Sequence, residues 1–541
     1  MVQQLSNSFV YQIDSDKTDF YSSNVKKIDS NSELRQALLN TSTTKEIASS
    51  ILGNSQFNAA YRQGLVDTIK RQYSASAIEL KSDSIVAKNI ESLADSNTLT
   101  VTTGQQIHIF LGPFFVVNKI LSCCAEALKV KALLPDNQVV PIFWMATEDH
   151  DFDEIKSARL YNETYTWDIE SEGPVGRLNP ESLLPIVKQA RERIDQTAEN
   201  LAFIDVCDHA YSTCSTFADA TRYIIHQLFE ETGIVVLDPD DAFLKSQFKQ
   251  VIEDDLLNHQ PSQLIDSSIQ TMKTFGMKAP INTRPINTFY LTDNKRIRIE
   301  KQDDNTYLLV DGSETYSETE ILDLLGKHPE RFSPNALLRP VYQQQILPNI
   351  SYITGASEMI YWLELGGVMT SYGINYPELS IRKSAFFVSQ KNKQKLDNEG
   401  IHLESLFVRP EKFQEIVLSD RVAQISEIER NIVKSDSLLN SIFTAMSDLG
   451  SKNTKKLQKS QNQLINSIKN EQGALLESLS NNDPTYNQLL KIKSSTFDNS
   501  YIQERNKHII SMVPELMLSR NWFKLHSEYY TNHKIITIIS A

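Results

Sequence analysis

The sequence predicts an α/β protein whose parallel-sheet core is interrupted by two insertions and followed by a carboxyl-terminal antiparallel coiled coil. Apolar, β-branched runs at residues 99–103 and 139–146 flank a helical stretch at 114–134, which is the pattern of a strand–helix–strand crossover. A third short apolar run, at 233–238, ends in an acid. Beyond Pro410 the pattern becomes helical, with apolar residues at heptad spacing.

The first crossover justifies the parallel sheet. Pro113 stands at the start of the helical stretch, where its missing N–H would be unpaired in any case. Crossovers of this kind join parallel strands covered on both faces. We therefore expect the two flanking runs to lie side by side in a mainly parallel sheet.

The segments are expected to alternate between core and insertion. Residues 1–95 read mainly as polar-faced helices, and residues 288–311 alternate short strands with polar turns. The expected order is 1–165 for amino-terminal helices and the first part of the core, 166–232 for a helical insertion, 233–285 for the core continuation, 286–334 for a small β-rich insertion, 335–410 for the second part of the core, 411–500 for the coiled-coil arm, and 501–541 for a segment packing back on the core.

The arm is predicted from two apolar seams separated by Gly450 and Ser451. Their members are Ile425, Ile428, Ile432, Leu439, Ile442, Met446, Leu449, Leu457, Leu464, Ile468, Leu475 and Leu479. Two long helices joined by a short turn make an antiparallel arm that must bury its apolar stripe. A second subunit is the simplest cover, so we expect a homodimer.

Length and charge limit the function classes. With 541 residues the chain exceeds the size of a single core, and 40% hydrophobic with 23% charged residues is ordinary globular composition. The net charge of −14, without a basic patch, argues against a nucleic-acid partner.

A cytoplasmic location is expected. The first eight residues lack a basic leader followed by an apolar run, and the run at 139–146 is too short to span a bilayer, so no membrane partner is expected. Four cysteines do not make a disulfide framework. Cys207, His209 and Cys214 are too loosely spaced for a zinc site, so we expect free core thiols, no zinc and no protein metal centre.

The first candidate site follows the run at 99–103. Thr103, Gly104, Gln105 and Gln106 precede a helix start, whose free N–H groups attract phosphate or carboxylate. A Gly-Gln-Gln turn alone is unspecific, however, and His108 could simply pack against the helix.

The second candidate site follows the run at 139–146 and consists of Glu148, Asp149, His150, Asp151 and Asp153. Carboxylates beside an imidazole can orient an amine, take its proton, or hold Mg²⁺ on a nucleotide. The alternative is that these residues form a solvated acidic loop with no catalytic or binding role. Since both sites follow strands of one sheet, Gln106, Glu148, Asp149 and His150 are expected to face one cleft.

Several common motifs are missing. The sequence contains no P-loop, no Gly-x-Gly-x-x-Gly fingerprint and no Gly-x-Ser-x-Gly elbow. Acyl transfer through a serine is therefore not expected, and Gly366-Gly367 is interpreted as a close packing contact.

These residues together resemble the bacillithiol cysteine-adding enzymes (BshC). The stretch 103–106 with Phe110, Gly112, Pro113 and Lys119 is similar to the first family signature, and 141–144 with 148–154 to the second. Further similar segments are 173–177, 236–241, the block 335–384 and, near the carboxyl end, 503–505. The resemblance runs in order along most of the chain.

The resemblance implies a Rossmann-like core related to class I aminoacyl-tRNA synthetases, two connective insertions and a coiled coil that pairs subunits. The implied reaction joins the carboxyl of cysteine to the amine of glucosaminyl-malate, giving bacillithiol. An adenine nucleotide is implied near the coiled coil, so ATP or ADP and Mg²⁺ are candidate cofactors. An amide needs an activated carboxyl, which either ATP supplies here or an activated cysteine brings from elsewhere.

The resemblance also implies site residues by position. The catalytic candidates are Gln106, Glu148, Asp149, His150 and Asp151. The substrate-binding candidates are Thr103, Gly104, Gln105, His108, Gly112, Lys119, Arg339, Gln343, Glu358, Tyr361, Trp362, Arg382 and Ser384. The nucleotide-binding candidates are Gln503, Glu504 and Arg505.

The chain departs from the family pattern within this presumed site. His108 stands where a small residue is common, Asn118 where an aromatic is common, and Thr354-Gly355-Ala356-Ser357 replaces a more glycine-rich turn. The synthetase signatures His-x-Gly-His and Lys-Met-Ser-Lys-Ser are missing. A diverged ligase acting on another amine, and a nucleotide-binding dimeric scaffold, are the alternative functions, and the net charge argues against a tRNA ligase.

Overall fold

The structure of the protein is a computed structural model, which describes the chain apart from residues 1, 6–7, 40–41, 499–500, 513–533 and 540–541. The strands of the described residues are β1 (Val2–Leu5), β2 (Ser8–Asp14), β3 (Thr98–Gln105), β4 (Gln138–Met145), β5 (Ser157–Leu160), β6 (Glu163–Thr166), β7 (Val235–Leu237), β8 (Thr288–Leu291), β9 (Arg296–Lys301), β10 (Tyr307–Leu309), β11 (Thr315–Tyr316), β12 (Phe332–Pro334), β13 (Asn349–Thr354), β14 (Glu378–Ile381), β15 (Ser384–Phe387) and β16 (Lys534–Ile539).

Helices dominate the rest of the described chain. They are α1 (Ser23–Ser30), α2 (Ser32–Leu38), α3 (Thr44–Leu52), α4 (Ala59–Ala75), α5 (Ile85–Ser92), α6 (Phe114–Leu133), α7 (Phe152–Ile155), α8 (Leu184–Arg193), α9 (Ala198–Thr213), α10 (Phe217–Phe229), α11 (Ala242–Ser246), α12 (Lys249–Leu257), α13 (Gln260–Thr274), α14 (Glu318–Lys327), α15 (Leu338–Ile346), α16 (Ala356–Trp362), α17 (Gly366–Ser371), α18 (Gln390–Asn398), α19 (Pro410–Val417), α20 (Ser419–Asp448), α21 (Thr454–Asn482), α22 (Pro484–Ser494) and α23 (Gln503–Asn506).

The core is a five-stranded parallel sheet in the order β14-β13-β3-β4-β7. Strands β3 and β4 pair along their whole length, from Thr98 opposite Gln138 to Gln105 opposite Met145. The predicted neighbours are thus confirmed. Along β3 the first seven residues are buried, as expected for a strand covered on both faces.

Strand order reverses between β3 and β13. From β3 the chain crosses through α6 to β4 on one side, whereas β13 is followed by β14 on the other. The carboxyl ends of all five strands lie at one edge of the sheet because the strands are parallel. Ligands in such sheets bind beyond that edge, near the reversal.

The short strands predicted within 288–311 are β8, β9 and β10, and they form an antiparallel sheet with β11 and β12 in the order β11-β10-β9-β8-β12. Phe289 of β8 is opposite Arg298 of β9, and Leu291 is opposite Arg296. Side chains alternate between the faces of a strand, so Arg296 and Arg298 share one face with Phe289. The isoleucines between them, Ile297 and Ile299, are buried on the other face.

The prediction that residues 1–95 are mainly helical is wrong at the start. β1 and β2 form an antiparallel hairpin, with Val2 opposite Tyr11 and Gln3 opposite Val10. Short strands with many polar residues give little periodic signal, and this hairpin has no long apolar run. From Ser23 onward the helices α1 to α5 follow the prediction.

The chain divides into two compact units, residues 1–20, 386–503 and 537–541 in one and residues 21–385 and 504–536 in the other. The first contains the two longest helices, α20 and α21, of 30 and 29 residues. They contact each other across a turn at Gly450, where φ is +88°. The division into seven segments derived from the sequence stays a prediction. In the described part of the chain, no helix is both long and apolar enough to cross a bilayer.

Candidate active site

A cleft of about 590 Å³ opens at the carboxyl edge of the parallel sheet. Its walls include nine residues predicted from the sequence, which are Gly104, Gln105, Gln106, Lys119, Glu148, Asp149, Arg339, Glu358 and Tyr361. They come from the ends of β3 and β4 and the residues that follow them, and from α6, α15 and α16. The predicted meeting of the two strand ends in one cleft is therefore confirmed for Gln106, Glu148 and Asp149.

Asp149 is fixed from several directions. Nε2 of Gln106 donates to Oδ2 at 2.8 Å, the backbone N–H of His150 donates to Oδ1 at 2.8 Å, and Nη1 of Arg296 lies 3.6 Å from Oδ1. Burial by itself would raise the pKa of Asp149, but these donors and the Arg296 charge hold it well below its ordinary value. The carboxylate is thus ionised and suited to hold an ammonium group.

Glu148 is anchored from beneath the cleft. Nζ of Lys245 lies 2.6 Å from Oε1 of Glu148 and 3.0 Å from Oδ1 of Asp240. Arg177 donates two hydrogen bonds to the same Asp240 carboxylate, from Nε at 2.8 Å and from Nη2 at 3.1 Å. Burial and the neighbouring Asp240 raise the pKa of Asp238. This charged network orders the loop after β4 and fixes the Glu148 carboxylate at the wall.

His150 and Asp151 lie further out than Asp149. The His150 side chain is half-exposed, and its Nδ1 lies 3.6 Å from Oδ1 of Asp149 and 3.3 Å from Nη1 of Arg296. It is therefore at the rim, within reach of the Asp149 carboxylate. Asp151 is exposed just before α7 and is not part of the cleft wall.

Glu358 is the centre of a buried polar network. Its carboxylate pairs with Nζ of Lys119 at 2.8 Å and Nη2 of Arg339 at 3.2 Å, and accepts from the hydroxyls of Tyr352 at 2.6 Å and Tyr361 at 3.2 Å. Burial would raise the pKa of Glu358, but the two cations lower it to about 2. Lys119 also donates to the Gly104 carbonyl at 2.7 Å, which ties this network to the end of β3.

Gly104 is required by the close approach of this network. A Cβ there would lie 3.0 Å from Oη of Tyr352 and 3.3 Å from Nη1 of Arg339. Gln105 accepts from Lys119 at 3.3 Å, whereas the Thr103 hydroxyl donates to the Ile353 carbonyl at 3.0 Å inside the sheet. Thr103 therefore supports the strand rather than the cleft.

Four other predicted substrate-binding residues pack inside the protein, outside the cleft wall. The His108 side chain is buried against Gly112, where an added Cβ would lie 2.6 Å from the His108 Cβ, and burial lowers the pKa of His108 to about 4. Trp362 is buried and stacks on Tyr352 with 4.3 Å between ring centroids. Gln343 is buried and accepts from Arg339 at 3.1 Å.

Arg382 and Ser384 meet Glu504 rather than the cleft. Nη2 of Arg382 lies 2.7 Å from Oε1 of Glu504, the Ser384 hydroxyl donates to the same oxygen at 3.1 Å, and Asn118 donates to Oε2 at 2.9 Å. Gln503 donates to the Phe387 carbonyl at 3.0 Å and accepts from its N–H at 2.8 Å, whereas Arg505 is exposed. A nucleotide role for residues 503–505 stays a prediction, and two of the three side chains already bind protein groups.

The helix start expected to hold phosphate does not face the cleft. A short 3₁₀ turn, Ile109–Leu111, separates β3 from α6, and the N–H of Phe114 donates to the Lys507 carbonyl at 2.9 Å. None of the first residues of α6 lines the cleft, and Lys119 is its contribution. The residues between β3 and α6 therefore displace the helix start from the strand end.

Arg296, Tyr352 and Lys245 were missed by the sequence argument. Arg296 reaches the cleft from the β-rich sheet, and its guanidinium lies 4.2 Å from the centroid of the Phe289 ring. Its only sequence signal is the alternation of charged and apolar residues in β9. Tyr352 follows the buried pattern of a core strand, and Lys245 lies in the short helix α11, so neither position carries a motif.

Comparisons with known proteins agree with this geometry. The family model described as "Bacillithiol biosynthesis BshC, N-terminal Rossmann-like domain" matches residues 10–383. Proteins named "Putative cysteine ligase BshC" from Flavobacterium psychrophilum and Flavobacterium johnsoniae are each 32% identical, over 84% of this chain and 85% of theirs. One from Cytophaga hutchinsonii is 31% identical, over 84% of each chain.

The matched region includes the whole parallel sheet and every residue of the cleft wall. The relatives are named as ligases, so the chain is an enzyme of the ligase class. The chain belongs to the BshC family of bacillithiol biosynthesis, with a Rossmann-like parallel-sheet core.

Proposed function

We propose that this enzyme forms an amide between the carboxyl of cysteine and the amine of glucosaminyl-malate, giving bacillithiol. The observation that carries the proposal is the ionised Asp149 carboxylate, held by Gln106 and Arg296 in a cleft at the end of two parallel strands. The names of the relatives support cysteine as one substrate.

The cleft residues have different roles in the proposed amide formation. An amine enters as an ammonium ion, which Asp149 binds and orients. It becomes a nucleophile only after losing a proton, and His150, whose Nδ1 lies 3.6 Å from the Asp149 carboxylate, is the proposed proton acceptor. Glu148, fixed by Lys245, bounds the same wall and keeps the amine on the Asp149 side.

The carboxyl of cysteine has to be activated, and the proposal includes ATP with Mg²⁺ for this step. Mg²⁺ prefers oxygen ligands and keeps several waters, so one or two carboxylates suffice. Glu154 also lines the cleft and is the carboxylate proposed for this role, which leaves Asp149 to the amine. Among the described residues, no three His, Cys, Asp or Glu side chains converge as a protein-only metal site. ATP would activate the cysteine carboxyl by transferring a phosphoryl or adenylyl group to it, and that group would leave as phosphate or AMP when the amine forms the amide. Delivery of a preactivated cysteine is the alternative.

The proposed assembly is a homodimer in which α20 and α21 form an antiparallel coiled coil and pair with a second copy. Large apolar side chains on these helices are exposed, including Leu449 at 88% and Leu464 at 61%. Burial of such surface is favourable by about 25 cal/mol per Å². The relation of the core to class I aminoacyl-tRNA synthetases is proposed on the same footing, from the strand order and the two insertions.

The test of the reaction is Asp149→Asn. Turnover of cysteine and glucosaminyl-malate should fall by roughly a hundredfold or more, while the melting temperature stays nearly unchanged. Asp205→Asn is the matched control, because Asp205 on α9 is 65% exposed in a surface pair with Arg191, does not line the cleft and should keep activity. Full activity in Asp149→Asn, or a loss explained wholly by unfolding, would remove Asp149 from the mechanism.

The biological test is thiol analysis of a deletion strain. Loss of bacillithiol with accumulation of glucosaminyl-malate is expected, and the wild-type gene but not the Asp149→Asn gene should restore the thiol. An unchanged thiol pool would favour the alternative of a nucleotide-binding dimeric scaffold, in which the coiled-coil arm rather than the cleft carries the function.

A further inference from the structure

The Arg296 side chain joins the β-rich sheet to the loop after β4. Its Nε donates to the Ser333 hydroxyl at 3.2 Å, its Nη2 donates to the Pro334 carbonyl at 2.8 Å, and its guanidinium lies 4.2 Å from the centroid of the Phe289 ring. These three partners lie on β12 and β8, in the same sheet as Arg296. The sheet therefore fixes the guanidinium, and Nη1 is the nitrogen that contacts the loop.

The partner of Nη1 is the imidazole of His150. Nη1 lies 3.3 Å from Nδ1 of His150, and the rings of His150 and Phe289 lie 5.9 Å apart. A guanidinium keeps its charge in proteins and has N–H donors but no acceptor. A hydrogen bond from Nη1 therefore requires Nδ1 to be unprotonated, and a neutral imidazole then carries its proton on Nε2.

The carboxylate of Asp149 has donors of its own and does not need a proton on Nδ1. Its Oδ1 accepts from the backbone N–H groups of His150 at 2.8 Å and Asp151 at 3.4 Å, and its Oδ2 accepts from Gln106 at 2.8 Å. Nδ1 of His150 lies 3.6 Å from Oδ1, which is too long for a hydrogen bond. The unprotonated nitrogen of the ring thus lies beside the carboxylate without being bonded to it.

We propose that Arg296 is a positioning residue that keeps the lone pair of His150 on Nδ1, the ring nitrogen next to Asp149. Without the Nη1 donor, Nδ1 can carry the proton and donate it to Asp149, which would occupy the proton acceptor and the carboxylate together. The β-rich sheet thereby controls the state of the loop after β4. This role rests on the proposed function, in which His150 accepts a proton from the amine substrate.

The proton transfer follows from this arrangement. When an ammonium group binds to Asp149, one of its N–H bonds breaks and an Nδ1–H bond forms on His150. The electron pair of the broken bond stays on the amine nitrogen, and the positive charge moves to the imidazole. Nη1 of Arg296 also lies 3.6 Å from Oδ1 of Asp149, so it can turn to that carboxylate when the ammonium takes its place at Nδ1.

The first experiment measures the tautomer of His150. Nitrogen NMR of the full-length enzyme with isotope-labelled histidine rings, at alkaline pH, distinguishes protonated from unprotonated ring nitrogens, and the His150 signals are those lost in His150→Gln. Wild-type enzyme should have an unprotonated Nδ1, and Arg296→Met, which keeps an unbranched stem without a donor, should shift His150 toward the Nδ1–H tautomer. Arg331→Met is the matched control and should keep the wild-type tautomer, because Arg331 donates to the Tyr290 hydroxyl at 3.0 Å and is not part of the cleft wall.

The second experiment is a double-mutant cycle on turnover. His150→Gln and Arg296→Met should each lower kcat by roughly ten- to a hundredfold, because each variant loses the proton acceptor at Nδ1. The double variant should be no slower than His150→Gln alone, as expected when Arg296 acts through His150. Melting curves check that each variant is folded.

Failure of the positioning role and failure of the proposed function are distinguishable. A protonated Nδ1 in wild-type enzyme would overturn the positioning role, and this measurement holds even when Arg296→Met does not fold. An unchanged tautomer in folded Arg296→Met, or additive losses of kcat in the double variant, would also overturn it. A tautomer that depends on Arg296 in an enzyme that forms no amide from cysteine would support the positioning of His150 and remove the proposed function.

Discussion

Nζ of Lys119 lies 2.8 Å from Oε2 of Glu358, and the two side chains are only 5% and 14% exposed. The pair joins α6, which crosses between β3 and β4, to α16, which follows β13. Arg339 and two tyrosine hydroxyls complete the shell of Glu358. The point of strand reversal in the sheet is therefore held together by a charged cluster rather than by apolar packing alone.

Replacing Glu358 should lower the free energy of unfolding substantially. Glu358→Gln leaves Lys119 and Arg339 buried without their shared counter-charge, and breaking a buried pair in this way typically costs about 3–5 kcal/mol. The free energy of unfolding, measured with urea, should fall accordingly. Glu91→Gln is the control, because the Glu91 side chain is 62% exposed in its pair with Lys70, and should cost less than about 1 kcal/mol. Equal losses in both variants would contradict the special role of the cluster.

Glu364 should make stability depend on pH near neutrality. Its side chain is fully buried, and burial raises the pKa of Glu364 to about 8. Because this folded-state pKa lies above the unfolded value of about 4.3, the stabilising contribution is complete below that value and is lost as pH rises through about 8. The free energy of unfolding of Glu364→Gln, measured by urea titrations from pH 5 to about 9, should therefore fall less with rising pH than that of the wild-type protein. A variant with the same pH slope as wild-type protein would show that Glu364 is ionised in the fold.

Gly104→Ala should damage the site through crowding. The new Cβ would lie 3.0 Å from Oη of Tyr352 and push that hydroxyl away from Glu358. We expect a loss of about 1–3 kcal/mol in stability and a fall in turnover. Gly355→Ala is the matched control, since nothing lies within 4 Å of its added Cβ. Similar behaviour of the two variants would show that the strand end relaxes freely.

Disrupting the apolar seam of α20 and α21 should abolish the proposed dimer. Ile428 and Ile442 belong to the predicted seam and are 42% and 43% exposed, so Ile428→Lys with Ile442→Lys should convert a dimer into a monomer in sedimentation experiments. Val433→Lys with Leu438→Lys places the same charges at exposed positions outside the seam and should leave the mass unchanged. A monomeric wild-type protein at micromolar concentration would contradict the dimer itself.

The sequence predicted the sheet and the meeting of Gln106 with Asp149 for one physical reason. Parallel strands bring their carboxyl ends to one edge of the sheet, so the two strand patterns were enough to predict that Gln106 and Asp149 lie close together. The two residues are 43 positions apart in the sequence, and their side chains are joined by a hydrogen bond of 2.8 Å. Arg296 was missed because it reaches the same carboxylate from another sheet, and no local pattern encodes that docking. Trp362 and His108 were assigned to substrate by position, but their burial depends on packing partners that one sequence does not reveal.

The strand order has a consequence for synthesis of the chain. β13 pairs with β3 on the side opposite β4, so one edge of β3 has no partner until residue 349 has left the ribosome. At about 5–20 residues per second this delay is on the order of tens of seconds. A nascent chain that has finished β4 and β7 therefore carries an open, apolar strand edge, the kind of surface that invites aggregation. Ribosome-stalled chains ending before β13 are expected to bind chaperones, which crosslinking can measure, and chains extended past β14 should release them.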